Sequence, residues 1–163
     1  MKKFLIAVLI LFSFNSFSQK NNKKTVYKKK ALVEKTIVNN WQKYSKSFEY
    51  ADYDKIVSFF TYPVTFSLFG EPMVIKNEDE LVKVYKYLRN NLQNDYKYSM
   101  LDKSRIVWLS KELVLFDATY SRFDSNYRRI YKGRGLYMYK LVDKKWKMFS
   151  VSNIPIIKPK KKG

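Results

Sequence analysis

The sequence contains no cysteine, no histidine and few residues that interrupt regular structure. Its 163 residues include only 4 glycines and 4 prolines. Without cysteine there is no disulfide framework, so stability must come from packing. Without histidine the chain lacks the side chain best suited to general acid–base catalysis and the commonest zinc ligand. A metal site would need clustered carboxylates, and the sequence shows no such motif, so we expect neither a metal nor another cofactor.

Aromatic and basic residues are abundant instead. The chain has 12 Phe, 14 Tyr and 3 Trp, which is ample material for one core. It has 33 Lys and Arg against 14 Asp and Glu, a formal net charge of +19. Much of this excess stands in Lys-rich segments at the two ends, which have too few apolar residues to fold and should be mobile. These lysines are either simply solvated or attract acidic glycans, anionic lipid or nucleic acid.

The N-terminus has the pattern of a cleavable signal peptide. Two lysines precede an apolar run over 4–14, and the small residues Ser16 and Ser18 stand before Gln19. As a helix this run would span about half of a hydrocarbon core, too little for a permanent membrane span. A buried N-terminal helix is the alternative interpretation. We therefore expect an exported protein, periplasmic or secreted, for which nucleic acid is not the expected partner.

The rest of the chain fits a single domain. We expect a signal peptide over 1–18, a Lys-rich mobile linker over 19–30, one domain over 31–153 and a Lys-rich tail over 154–163.

The domain begins with helical patterns. Apolar side chains recur every three or four residues between 31 and 48, which predicts an amphipathic helix with one buried stripe. Asp52 is a suitable N-cap for a short second helix, which Pro63 should end. Asn77 is placed to cap a third helix with acidic residues in its first turn.

Strand patterns follow these helices. Two short strands are predicted over 64–69 and 73–76, around a Gly-Glu-Pro turn. The long strands are predicted in hairpin-linked succession, over 96–110, 112–123, 129–142 and 145–152. Helices followed by consecutive strands predict an α+β domain in which helices cover one face of an antiparallel sheet.

Three stretches in a fixed order carry a resemblance to a known fold. They are residues 52–57 at the start of the second helix, Gly70-Glu71-Pro72 after the first strand, and residues 137–148 near the end. In this order they resemble the nuclear-transport-factor-2-like superfamily, which includes SnoaL-like polyketide cyclases and ketosteroid isomerase. The resemblance implies a cone-shaped curved antiparallel sheet with three helices from the N-terminal half packed on its concave face. The superfamily includes enzymes, carriers, toxin-neutralising proteins and dimerisation modules, so the fold leaves the function open.

The resemblance also implies a pocket between the first helix and the concave face. Trp41, Tyr44 and Phe48 would line it from the helix, and Ser67, Asp117 and Tyr137 are the other candidate ligand-binding residues. Such a pocket would hold a small apolar or anionic molecule. Ordinary core packing explains the same aromatic stripe.

A catalytic set is incomplete by comparison with ketosteroid isomerase. Tyr44 and Tyr137 fall near the positions of its two oxyanion donors, but Ser67 falls where the base should be, and an unassisted serine is too weak for that role. Asp117 lies within an apolar strand, where burial would raise its pKa and make it a third catalytic candidate. Pairing of Asp117 with Arg122, Arg134 or a backbone donor is the alternative.

A basic segment over 122–134 runs from the end of the fourth predicted strand into the next. Arg122, Arg128, Arg129 and Arg134 alternate with aromatic residues and could hold a carboxylate, sulfate or phosphate on one face of a hairpin. A solvated hairpin edge whose charges discourage aggregation explains the same residues.

The leading hypothesis is an exported, non-enzymatic ligand-binding or interaction module that forms a homodimer. The alternatives are an enzyme of the isomerase, cyclase or dehydratase type, and an envelope immunity protein or other protein-inhibiting partner.

Overall fold

The computed structural model describes residues 2–68 and 70–156, with side chains described from residue 26 on. The chain divides into two compact units, the first ending at Thr36 and the second beginning at Ile37. The side chains of the expected signal peptide, 1–18, and most of the expected tail, 154–163, lie outside the described residues. Within the described part of the chain, no helix has both the length and the apolar character that crossing a bilayer requires.

Helix α1 (Lys2–Glu49) is much longer than the predicted helix over 31–48. The preceding Lys-rich stretch contains no glycine or proline, and lysine is a good helix former, so nothing in it ends the helix. In the first unit most of the described side chains of α1 are exposed. In the second unit α1 buries Ile37, Trp41 and Phe48, as the periodicity predicted.

Two further helices begin at the predicted caps. Asp52 accepts a hydrogen bond from Lys55 N at 3.0 Å at the start of α2 (Tyr53–Val57). Asn77 accepts one from Glu80 N, also at 3.0 Å, at the start of α3 (Glu78–Asn90). A side-chain oxygen at this position satisfies a backbone N–H that has no partner within the helix.

The expectation that Pro63 ends the second helix is wrong. The helix ends at Val57, and Pro63 lies inside the first strand, after a cis peptide bond to Tyr62. Proline cannot donate to a strand ladder and is therefore found at edges or irregularities. The register of this strand shifts between Phe60 and Thr65, where Pro63 is placed.

Six strands form one sheet. They are β1 (Phe60–Ser67), β2 (Met73–Ile75), β3 (Tyr98–Trp108), β4 (Leu113–Phe123), β5 (Arg129–Val142) and β6 (Lys145–Asn153). Their order across the sheet is β2-β1-β6-β5-β4-β3. All neighbours are antiparallel except β1 and β6, which run parallel. The predicted α+β fold with a curved sheet is confirmed, with one parallel pair in it.

Alternation along β4 distinguishes two faces of the sheet. On the helix-covered face, Phe116 and Tyr120 contact the ring of Trp41 from α1. On the opposite face, called here the outer face, lie Asp117 and Thr119. Because successive side chains point to opposite sides, each strand contributes to both surfaces.

Candidate functional site

A small cavity lies between α1 and the helix-covered face. Its volume is about 70 Å³, enough for a few water molecules. Most of its lining is aromatic, with a few hydroxyl, amide and guanidinium groups among the rings. The described lining residues are Trp41, Tyr44, Ser45, Phe48, Leu68, Tyr85, Leu88, Ser99, Tyr120, Arg122, Tyr137, Val151 and Asn153.

Trp41 is at the centre of the aromatic wall. Its ring centroid lies 6.1 Å from that of Tyr120 and 6.2 Å from that of Tyr137, in tilted or edge-on geometry. Such arrangements place the positive edge of one ring against the negative face of another and favour a fixed packing. The buried indole Nε1 of Trp41 makes no hydrogen bond of full geometry among the described residues, but it is close enough to the Tyr137 hydroxyl to lower the pKa of that phenol slightly. A ligand oxygen would therefore compete with Tyr137 for this donor.

Two phenols form a hydrogen-bonded pair beside this wall. Tyr85 Oη donates to Tyr44 Oη at 3.0 Å, and Tyr44 also packs edge-on against Tyr137. Burial raises the pKa of Tyr44 to about 12 and raises that of Tyr137 well above its ordinary value. Both phenols therefore stay protonated near neutral pH and act as hydrogen-bond donors rather than bases.

Arg122 brings a positive charge to the cavity. Its guanidinium carbon lies 4.9 Å from the ring centroid of Tyr131, 5.6 Å from Tyr120 and 5.8 Å from Tyr96. Its Nη1 donates to Gln93 Oε1 at 2.8 Å, a neutral acceptor. Its buried Nε has no hydrogen-bond partner in the described part of the chain. An arginine held by rings and an amide has charge and donors left for an anion.

A second opening adjoins the cavity. A cleft of about 230 Å³ runs between α1 and the edge strand β3, and it shares Trp41, Ser45 and Ser99 with the cavity lining. A ligand too large for the cavity could therefore extend into this cleft.

Two glycines in β5 leave room for the cavity rings. A Cβ at Gly133 would lie 2.7 Å from Tyr120 Cζ, and one at Gly135 would lie 2.9 Å from Tyr137 Cε2. Both distances are shorter than side-chain atoms tolerate, so any larger residue would displace these rings.

The outer face carries an ion cluster around Asp117. Arg134 donates from Nε and Nη2 to the two carboxylate oxygens at 2.8 and 2.7 Å, and Arg105 Nη2 donates at 3.3 Å. The hydrogen bonds from Arg134 hold the pKa of Asp117 below its ordinary value, against the opposing effect of burial. Asp117 is therefore an ionised acceptor near neutral pH.

Comparison with known proteins identifies the family. The profile of the family described as NTF2-like protein (DUF6841) matches residues 31–155. The chain belongs to this NTF2-like family. The resemblance predicted from sequence is confirmed. A comparison with curated proteins finds no match.

Solved structures share the NTF2-like fold at low sequence identity. A protein of unknown function with a cystatin-like fold from Nostoc punctiforme is 11% identical, with a TM-score of 0.66 over 76% of this chain and 90% of that chain. An NTF2-like protein of unknown function from Pseudomonas putida is 8% identical, with a TM-score of 0.64 over 80% and 91%. An NTF2-like protein from Cytophaga hutchinsonii is 14% identical, with a TM-score of 0.59 over 76% and 98%. These likenesses support the fold alone.

Within this NTF2-like domain, four of the predicted ligand-binding residues line the cavity. They are Trp41, Tyr44, Phe48 and Tyr137. Ser67 lies on β1, and its neighbour Leu68 lines the cavity.

Asp117 does not join Tyr44 and Tyr137. It lies on the other face of the sheet, held by Arg134 and Arg105, and its pKa is lowered where the sequence led us to expect a raised value. The structure therefore does not bring the three catalytic candidates together. It matches the alternative interpretation, in which Asp117 is paired with an arginine.

The four arginines of the predicted anion patch are also separated. Arg122 lines the cavity, Arg134 pairs with Asp117, and Arg128 Nε pairs with Asp124 Oδ2 at 2.8 Å in the β4–β5 loop. Arg129 is exposed at the start of β5. They do not form one surface.

Sequence reasoning missed the role of Arg122 in the cavity and the two glycines that make room for its rings. Alternation along β4 could have indicated the position of Arg122. It stands an even number of residues from Phe116 and therefore lies on the same face. The Gly-Arg-Gly pattern within a strand could have indicated the second, since glycine in a strand often marks close approach.

Proposed function

We propose that this chain is a non-enzymatic binding module whose cavity, together with the adjoining cleft, takes a small, partly aromatic molecule bearing an anionic group. The observation that carries the proposal is Arg122, a guanidinium among rings with no carboxylate partner among the described residues. Taking a charge out of water is costly unless it finds a counter-charge, so an anion bound beside Arg122 would offset the cost of burying its guanidinium.

Binding is better supported than catalysis by the groups available. The described lining residues include no carboxylate, imidazole or thiol, and Tyr44 has a pKa of about 12. Tyr44 and Tyr137 could donate to an oxyanion, but a proton-transfer reaction also needs a base within reach. Asp117 is on the opposite face and is held by two arginines.

The proposal is tested by titrating the full chain with benzoate and with benzamide, its neutral analogue of the same shape. Both can place a ring among the aromatic residues, but only benzoate offers Arg122 a charge. We expect benzoate to bind about tenfold more tightly, because a charge-assisted hydrogen bond contributes about 1.5 kcal/mol more than a neutral contact. Calorimetry or ring-proton NMR would measure the difference.

Two Arg→Gln variants, which each remove one positive charge, complete the design. Arg122→Gln should abolish the preference for benzoate, whereas Arg129→Gln removes an equal charge from an exposed position and should leave it unchanged. An equal affinity of the unmodified chain for both compounds would refute recognition of an anion at this site. Thermal unfolding of both variants checks that they fold.

The same proposal includes export and a homodimer. N-terminal sequencing of protein recovered from its own envelope should start at Gln19 if the signal peptide is removed there.

Half-buried apolar residues on the outer face offer a contact surface for a second copy. They are Leu115, Leu136 and Met138. Native mass spectrometry of that protein would report the subunit number and any retained ligand together. A monomer would contradict the homodimer, and an N-terminus other than Gln19 would contradict cleavage at that position.

A further inference from the structure

A second pocket lies on the outer face, across the sheet from the cavity. It measures about 390 Å³, within the range of small-molecule sites. Its described lining residues are Lys103, Ser104, Arg105, Asp117, Thr119, Arg134 and Ile156. It is thus lined mainly by polar and basic side chains, unlike the aromatic cavity.

The strand register places three hydrogen-bond donors in one row across this pocket. Thr119 on β4 is the direct partner of Lys103 on β3 and of Arg134 on β5. Neighbouring strands are about 4.8 Å apart, so side chains directly opposite each other on one face reach the same small volume. An ammonium, a hydroxyl and a guanidinium therefore converge from three strands.

The pocket has an excess of positive charge. Lys103, Arg105 and Arg134 line it together with a single carboxylate, Asp117. Lys103 is exposed and has no ion-pair partner among the described residues. Nearby, Lys132 lies 3.9 Å from Asp102, so that pair adds no net charge. The lining therefore carries two more positive charges than negative ones.

Asp117 orients the guanidinium of Arg134 but accepts hydrogen bonds from only some of its N–H groups. A guanidinium has five N–H donors, and the carboxylate takes hydrogen bonds from only Nε and Nη2 of Arg134. The two hydrogens on Nη1 have no partner among the described residues. A side chain held in this way loses little conformational freedom when it binds a second anion.

We propose that this outer pocket is a binding site for a tetrahedral oxyanion, phosphate or sulfate, free or as a small ester, held by Lys103, Thr119 and Arg134. Three donors from three directions match an anion with three or more acceptor oxygens. A carboxylate can also accept three hydrogen bonds, but its lone pairs lie in one plane, so it fits three donors from different directions less well than a tetrahedral anion does. The site is independent of the aromatic cavity and of the ligand proposed for it, and it lies on the same face as the proposed dimer contact.

The test is a titration of the 15N-labelled full chain with sodium phosphate, with sodium chloride adjusted to keep the ionic strength constant. Saturable shifts of the backbone amides of Lys103, Thr119 and Arg134 are the expected result. Constant ionic strength matters because a chain of net charge +19 attracts every anion weakly.

Three variants make the result specific. Lys103→Gln removes a positive charge and Thr119→Val removes a hydroxyl donor, and neither breaks the ion pair between Arg134 and Asp117, so both should fold. Each should weaken phosphate binding about fivefold, the equivalent of one hydrogen bond. Lys111→Gln removes the same charge from an exposed hairpin turn and should change nothing. Equal affinity in all four proteins, or shifts that never saturate, would overturn the proposal.

Further titrations identify the form of the ligand. Glucose 6-phosphate binding more tightly than inorganic phosphate would support a phosphate ester, and equal binding of the two would support the free ion. Acetate binding as tightly as phosphate would overturn the tetrahedral geometry.

Discussion

The two faces of the sheet formed by β3 to β6 differ in chemistry, although the residues that define them are neighbours in the chain. On the helix-covered face, Phe116 is fully buried, and the ring centroids of Trp41 and Tyr137 lie 6.3 and 6.2 Å away. One residue further along β4, Asp117 is 8% exposed and is closed over by the guanidinium groups of Arg134 and Arg105. Phe116 is thus buried by packing among neutral rings, whereas Asp117 is buried because arginines neutralise its charge.

This difference predicts that the two faces lose stability at opposite ends of the pH range. A phenol whose pKa is raised on folding stabilises the native state below about pH 10, and this stabilisation is lost as pH rises through the raised value. A carboxylate whose pKa is lowered on folding stabilises the native state above about pH 4, and this is lost as pH falls through the lowered value. Tyr44 belongs to the first kind and Asp117 to the second.

The largest expected effect comes from removing the centre of the aromatic face. Phe116→Ala should lower the free energy of unfolding by about 4 kcal/mol, because it removes a fully buried ring and leaves a cavity among packed neighbours. The adjacent Leu115→Ala, on the outer face and only half-buried, should cost about 1 kcal/mol. Urea unfolding of both variants at pH 7 measures the difference. Equal losses would mean that the two faces are packed alike and that the comparison fails.

The aromatic face could be predicted from sequence because its signal is local. Trp41, Tyr44 and Phe48 recur at helical spacing, so one helix face collects them whatever the rest of the chain does. The order of helices and strands, with caps at Asp52 and Asn77, then fixed the fold class. Each of these features depends on residues close together in the chain.

The ion cluster around Asp117 could not be predicted, because the sequence of β4 does not show which alternate residues face the helices. The run from Leu113 to Phe116 is apolar on both faces, so it does not reveal which alternate residues face the helix, and a one-residue error exchanges the faces. The sequence therefore predicts Asp117 in the pocket, and the structure places it on the outer face. Its partners come from β3 and β5, and their register depends on irregularities such as the one between Leu101 and Lys103. Pro63 shows the same limit, because its place in β1 depends on the pairing with β6.

A smaller effect is expected when the outer ion cluster loses its anion. Asp117→Asn should lower the free energy of unfolding by about 2 kcal/mol at pH 7, because Arg134 and Arg105 lose the charge of their shared acceptor. The deficit should shrink as pH falls below about 4, where the unmodified carboxyl also becomes protonated. Urea unfolding at several pH values between 7 and 2.5 follows this. A deficit that is independent of pH would show that packing, not charge, holds Asp117.

Asp95→Asn is the matched control for that measurement. Asp95 is exposed and has a positive φ of 64°, which asparagine also tolerates. The control should unfold like the unmodified chain at every pH, so that a change seen only at position 117 reports the outer cluster.

The smallest effect is expected from a single hydroxyl on the aromatic face. Tyr44→Phe keeps the ring but removes the acceptor of the Tyr85 hydroxyl, which should cost about 1 kcal/mol at pH 7. Because the pKa of Tyr44 is about 12 when folded and an unfolded tyrosine titrates near 10, the unmodified chain loses stability between these values and the variant lacks this loss. The deficit of the variant should therefore shrink with rising pH, opposite to Asp117→Asn.

Tyr127→Phe, at a 79% exposed position, is the control in urea unfolding at pH 9, 10 and 11. If Tyr44→Phe behaved like this control, the Tyr44 hydroxyl would be open to water, and the cavity would not exclude solvent as the proposed binding of an anion by Arg122 requires.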